Sequence, residues 1–231
     1  MARHTIRLDR RGEARLPAAA AVLVTILLQG VLPNRLLLGP RLVLPALELL
    51  LLVPLLVVNP LRMTRETRWS RSTSVVLVLL IALANTVVLG LLVEALVTGK
   101  ASDGKQLLLA ALQVWLTNVI AYGLVYWELD RGGPVSRTQR KREELPAADF
   151  RFPQDEDDDA IVEVAKGSSS KSDWVPSLVD YLYMSVTNSS AFSPTDTMPL
   201  STRTKLLMGI QSTSALVLSL LVVSRAVSVL K

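Results

Sequence analysis

From Leu16 onward the chain is cut into apolar blocks of nearly one bilayer thickness, residues 16–33, 42–58, 74–97, 106–127 and 206–230. A helix needs roughly 20 apolar residues to cross the hydrocarbon layer, and each block approaches or exceeds that length. Inside lipid every backbone N–H and C=O must be satisfied within the segment, which a helix achieves and an open strand does not. The blocks therefore predict an all-α membrane protein with about five transmembrane helices. Composition enters only as support. Half of the 231 residues are hydrophobic, 19% are charged and the mean hydropathy is +0.40, whereas a soluble domain carries about 25% charged residues. The first block follows a basic stretch, as in a signal peptide. It is longer than the usual signal core and no small-residue cleavage pattern follows, so it reads as a retained span.

The C-terminal stretch 174–231 holds a second kind of apolar segment. Trp174 to Val186 is too short to cross a bilayer, yet too apolar to be an ordinary loop. A polar turn follows, Thr187 to Thr197, then a basic elbow, Ser201 to Lys205, and then the last long block. A half-helix followed by polar backbone beside a full span predicts a re-entrant hairpin, because such backbone survives at membrane depth only inside protein or against a wet cavity. Its polar candidates are Thr187, Asn188, Ser189, Ser190, Ser193 and Asp196.

The basic residues predict the orientation. Of the 25 Lys and Arg, nineteen fall on residues 1–15, 61–73, 131–173 and 201–205, and six fall elsewhere: Arg35, Arg41, Lys100, Lys105, Arg225 and Lys231. By the positive-inside rule the first set is cytoplasmic, which places the C-terminus outside. The division is then a basic cytoplasmic tail (1–15), a four-helix region (16–129), a polar and disordered cytoplasmic linker (130–173), and the hairpin with its last span (174–231). Trp69, Trp127 and Trp174 all fall at the cytoplasmic boundary, with Tyr126 and Trp127 as an aromatic anchor. The linker has a basic part and an acidic run, Asp155 to Asp159, and its composition points to no core of its own. The acidic run lacks the glycine and ligand spacing of a calcium loop.

Within the spans four polar residues stand out: Glu48, Asn85, Gln113 and Asn118. An intramembrane carboxylate is a functional candidate by default, and otherwise a helix-contact group in need of a partner. Gln113, Thr117 and Asn118 lie on one side of a helix and either join helices by hydrogen bonds or line a path. Several chemistries are excluded. There is no cysteine, and the lone His4 sits in the basic tail, so cysteine and most histidine catalysis is out of reach. No cofactor or metal is expected, nucleic acid is not a partner, and the polar residues show no nucleophile–base spacing, so no enzyme is expected.

Two resemblances are carried by particular residues. The run Tyr181-Leu-Tyr-Met-Ser-Val-Thr187, a polar turn, Asp196-Thr-Met-Pro-Leu-Ser201 and a long span resemble the pore region of tetrameric cation channels. There a pore helix leads to a threonine-rich filter, an acidic residue, a proline and the inner helix. With Asp196 and Pro199 on the last two positions, Ala191 to Thr195 stand where Thr-Val-Gly-Tyr-Gly would. The filter glycines are absent, so the likeness does not extend to potassium selectivity through inward-turned carbonyls. The charge distribution also inverts the loop relative to potassium channels, as in ionotropic glutamate receptors. More of the chain is similar to a family of uncharacterised bacterial inner-membrane proteins of unknown function. The shared features are paired spans, the aromatic-plus-acidic patch Tyr126, Trp127, Glu128 and Asp130, the segment Asp149 to Pro153, and the hairpin turn Ser190 to Asp196.

Two functions follow. One is an ion-channel-like conduit in a bacterial inner membrane, a homo-oligomer and by the channel likeness a tetramer, passing small cations with Asp196 near the mouth. The other is a non-conducting membrane protein that uses the hairpin for packing or partner docking, its hydroxyls satisfied by their own backbone.

Overall fold

A computed structural model describes residues 11–37, 39–98, 104–156, 159–190 and 196–229. Ser193 and the rest of 191–195, Asp157 and Asp158 of the acidic run, the tail 1–10, and Lys231 lie outside the described residues. The described chain is all-α, with two short strand pairs. Its helices in order are α1 (Arg15–Gly30), α2 (Val43–Val58), α3 (Arg68–Thr98), α4 (Gly104–Leu129), α5 (Pro134–Gln139), the single turns α6 (Val162–Ala165) and α7 (Ser169–Ser172), α8 (Leu178–Ser189) and α9 (Thr202–Val229). Three of them, α3, α4 and α9, are long and apolar enough to cross a membrane, while α1 and α2 are apolar but have 16 residues each. At 1.5 Å per residue those two are about 24 Å long.

Helix ends follow local chemistry rather than hydropathy. Pro45 sits in the first turn of α2, where its missing N–H costs no intrahelical bond, while Pro54 lies inside the helix. α3 begins at Arg68, before the apolar block, because Thr67 and Ser70 cap its start reciprocally: each backbone N–H donates to the other's hydroxyl, at 2.9 and 3.1 Å. α8 begins at Leu178 and runs to Ser189. Asp180 accepts from the Ser177 N–H at 2.7 Å and from its hydroxyl at 2.8 Å, which fixes that start. Thr187, Asn188 and Ser189, expected in the polar turn, are therefore helical. The elbow Thr202 to Lys205 likewise forms the first turn of α9.

α4 is the central helix, in contact with α1, α3, α8 and α9. Against α8 it presents Gly123. A Cβ there would meet Leu182 Cδ2 at 2.7 Å and the Leu182 Cα at 3.3 Å, so the close approach depends on the missing side chain.

One end of the bundle gathers the start of α1, the turn between α2 and α3, the end of α4, and the starts of both α8 and α9. Strand β1 (Glu13–Ala14) pairs antiparallel with β2 (Arg62–Met63), and the Arg15 N–H donates to the Leu61 carbonyl at 3.0 Å. Strand β3 (Phe150–Arg151) pairs antiparallel with β4 (Met198–Pro199). The described parts of the four basic segments thus meet at one end.

The described part of 130–173, a segment expected to be a disordered linker, is folded against this end. Phe150 is fully buried, with its ring 5.2 Å from that of Tyr126 and 6.3 Å from that of Tyr181. Phe152 packs edge-on against Trp174 and Tyr181, at 5.5 and 5.4 Å. Asp155 accepts from the Ser169 hydroxyl at 2.6 Å, from Arg131 at 2.7 Å and from the Phe152 N–H at 3.1 Å. Burial alone would raise its carboxyl, but Ser169, Arg131 and the Phe152 N–H outweigh burial and hold it below the usual carboxylate range. The anchor residues Tyr126 and Trp127 are buried as well, and only Trp69 of the expected interfacial tryptophans is exposed.

Candidate functional site

The C-terminal hairpin starts at the charged end, enters the bundle and returns. At its start the α8 Tyr181 hydroxyl donates to Asp130 at 2.6 Å, and the Leu178 N–H donates to Glu13 at 2.7 Å. At the other end of α8, Asn188 donates to the Met208 carbonyl at 3.1 Å and to the Gln211 side chain at 2.8 Å. Gln211 lies about 14 Å along α9 from Thr202. The chain between is back at the charged end by Leu200, whose N–H donates to the Asp149 carbonyl at 2.8 Å. Asp149 holds the return a second way. Its carboxylate takes a fork from Arg203, with Nε at 2.9 Å from Oδ1 and Nη2 on Oδ2. Asp149 is itself tied to α4, because its N–H donates to Asp130 Oδ1 at 2.7 Å. Both limbs of the hairpin therefore hang from Asp130.

The polar residues of α8 turn inward. Gln211 Nε2 donates to the Ser185 hydroxyl at 2.6 Å and the Ser189 hydroxyl at 2.8 Å. Gln211 Oε1 accepts from the Tyr126 hydroxyl at 2.6 Å and from Asn188. The Ser185 hydroxyl donates onward to the Val119 carbonyl at 2.7 Å. Thr187 and Ser190 bond back to carbonyls of their own helix, Met184 at 2.9 Å and Val186 at 2.8 Å. Asp196 is exposed, beyond the undescribed residues of the turn. The outer face of α8 is apolar and uncovered: Val179 and Tyr183 are 68% and 60% exposed.

A second polar cluster lies between α1, α2, α3 and α4, toward the other end of the bundle. Glu48 is fully buried and accepts from Gln29 Nε2 at 3.0 Å. Asn85 donates to Asn118 at 3.1 Å across α3 and α4. Gln29, Asn85, Gln113 and Thr117 line one small cavity with Leu32, Val88 and Val114. Three of the four intramembrane candidates thus have a partner or a cavity on α3 and α4, and the fourth, Glu48, joins them through Gln29. Glu48 Oε2 and Gln29 Oε1 are buried with no hydrogen-bond partner.

The charged end contains residues that the sequence did not single out. Arg137, 1% exposed, donates to the carbonyls of Trp127 and Asp130 at 2.7 and 2.9 Å, pairs with Glu13 at 3.6 Å, and lies over the Tyr181 ring at 5.0 Å. Glu13, counted with the basic tail, also accepts from Trp127 Nε1 at 3.0 Å. Arg71 crosses Gly133 to reach Glu128. Gly133 has φ +92°, which favours glycine, and a Cβ there would also collide with the Arg71 guanidinium. Gln29 and Gln211 carried the one available signal, a lone amide in an apolar block. Among the described residues no group of three or more His, Cys, Asp or Glu is placed to hold a metal ion.

This is an α-helical protein with three helices able to cross a membrane and two shorter apolar ones. No family model, curated protein or solved structure matches the chain, so the likenesses drawn above rest on the residues that carry them.

Proposed function

We propose that this chain is a channel-like, multi-pass integral membrane protein of a bacterial inner membrane. Five spans, α1 to α4 and α9, form a bundle against which a re-entrant hairpin made of α8, the turn 190–201 and the start of α9 packs on the α4 side. The short α1 and α2 complete their spans with flanking residues and local thinning of the bilayer. The charged end faces the cytoplasm, since the four segments whose described parts meet there carry nineteen of the 25 basic residues in the sequence. Copies assemble through the uncovered apolar faces of α8 and α9, as the tetramer that the channel likeness implies. In such an assembly Asp196 draws small cations to the mouth.

The observation that carries this reading is the return of the chain. α8 begins beside Asp130 and ends beside Gln211, and Leu200 is again bonded to Asp149. Polar backbone taken to that depth and back is retained where it is enclosed by protein or faces a cavity. The test is ion flux through purified protein in liposomes. Flux of a small cation is expected, reduced by Asp196→Asn, which keeps much of the hydrogen bonding and removes the charge. Flux unchanged in the variant removes Asp196 from the pathway.

A packing role for the hairpin is the second reading, and one observation favours it. Ser185, Asn188 and Ser189 all bond to Gln211 or to neighbouring backbone, so α8 spends its polar groups on its own chain. Wild-type protein with no flux above empty liposomes selects that reading.

A further inference from the structure

We infer that the α1–α4 bundle holds a second site, separate from the hairpin, which binds one small monovalent cation at Glu48 and Gln29. The argument begins with burial. Glu48 is 0% and Gln29 6% exposed, and their one mutual bond, Gln29 Nε2 to Glu48 Oε1 at 3.0 Å, leaves Glu48 Oε2 and Gln29 Oε1 unpartnered. Both unpartnered atoms are acceptors. A ligand that satisfies them must donate or be positive, because a second acceptor or an anion would be repelled.

Charge narrows the choice. Glu48 takes part in no ion pair among the described residues. A buried carboxylate without a counter-charge is costly, and a bound cation removes that cost in competition with a proton. The cluster supplies a single carboxylate, and no group of three or more acidic, His or Cys side chains accompanies it among the described residues. That balances a monovalent ion and does not build the oxygen-rich, multiply charged cage that calcium takes. The other polar groups have the right hardness. Gln29 also lines the small cavity that Gln113, Thr117 and Asn85 line, and amide and hydroxyl oxygens are the ligands that suit alkali ions rather than soft metals.

The contrast with Gln211 sets the pair apart from a closed structural network. There an amide at membrane depth uses both its oxygen and its nitrogen. At Glu48 and Gln29 two of the four polar atoms of two buried side chains are left over.

The experiment uses the purified full chain in detergent. Radiolabelled sodium is titrated at constant ionic strength against choline, and thermal unfolding is followed in sodium, lithium, potassium and choline chlorides. Saturable binding of one sodium per chain is expected, with a Tm several degrees higher in sodium than in choline. Glu48→Gln should abolish both effects. Gln113→Leu, which leaves the carboxylate in place, should weaken binding at least tenfold and serves if the Glu48 variant does not fold. No saturable sodium binding, with Tm equal in all four salts, overturns the proposal. So does sodium binding by Glu48→Gln equal to wild type. Because binding and not flux is read, failure here leaves the hairpin proposal standing, and failure of flux leaves this one standing.

Discussion

Two buried amide clusters sit in the same apolar surroundings and are built differently. Around Gln211, five side chains from α4, α8 and α9 close a network in which each polar atom of the central amide is used. Around Glu48 and Gln29, two side chains make one bond and leave two oxygens over. A satisfied network fixes helices in place, and its energy is realised only while every member is present. An unsatisfied pair costs free energy in the resting chain, so it contributes little to holding helices together and is available to a ligand. The first cluster is therefore a fastener and the second a site.

Substitutions should separate the two. Gln211→Leu has the largest expected effect, because it strands Tyr126 and Ser189 and takes one of two partners from each of Ser185 and Asn188. At about 1–3 kcal/mol for each buried group left unpaired, several kcal/mol are lost. Thermal unfolding in detergent should show a Tm many degrees lower, and an unchanged Tm would break the distinction. Gly123→Val attacks the same fastener by volume, since a side chain there collides with Leu182. Overpacking of this kind costs about 1–3 kcal/mol, read in the same assay. Glu48→Gln should lie within about 1 kcal/mol of wild type, because the amide keeps an oxygen for Gln29 and removes a buried charge. A loss as large as that of Gln211→Leu would make Glu48 structural too.

The smallest effect concerns the charged end. The Asp155 carboxyl is held below its ordinary value in the folded chain. Its contribution to stability is then fully present above the unfolded-state value of about 3.9, and is lost as pH falls through the lower folded value. Asp155→Asn should remove that acid-limb loss. Fluorescence of Trp174, packed on Phe152, would report it. An acid limb identical in both proteins would show that Asp155 does not hold this segment.

What could be read from the sequence divides along the same line. Apolar blocks locate α1 to α4 and α9 within a few residues, because lipid and protein interior impose one periodic requirement on every residue of a span. Boundaries set by single caps could not be read that way. Thr67 with Ser70, and Ser177 with Asp180, move the starts of α3 and α8. The segment 130–173 looked too polar to fold because its apolar partners are distant in sequence. Phe150 and Phe152 find Tyr126, Trp174 and Tyr181 only once α4 and α8 are side by side. Of the polar residues chosen by type, Asn85 and Asn118 are hydrogen-bonded to each other, whereas nothing in the sequence pairs Glu48 with Gln29, which lies on another span. Arg137 and Glu13 sat among many charges, and only geometry distinguishes them from solvated neighbours.

Everything said of the hairpin depends on α8 and α9 starting from one end of the bundle. The chain has no cysteine, so single cysteines can be introduced at Glu163, which is exposed on the charged side, and at Lys231, beyond the far end of α9. Both are then labelled in intact cells with a membrane-impermeant maleimide. The two positions should report opposite faces, with Lys231→Cys labelled from outside and Glu163→Cys labelled only after the membrane is opened. Labelling of both from the same face would mean that the segment containing α8 crosses the membrane completely, and the re-entrant architecture would be wrong.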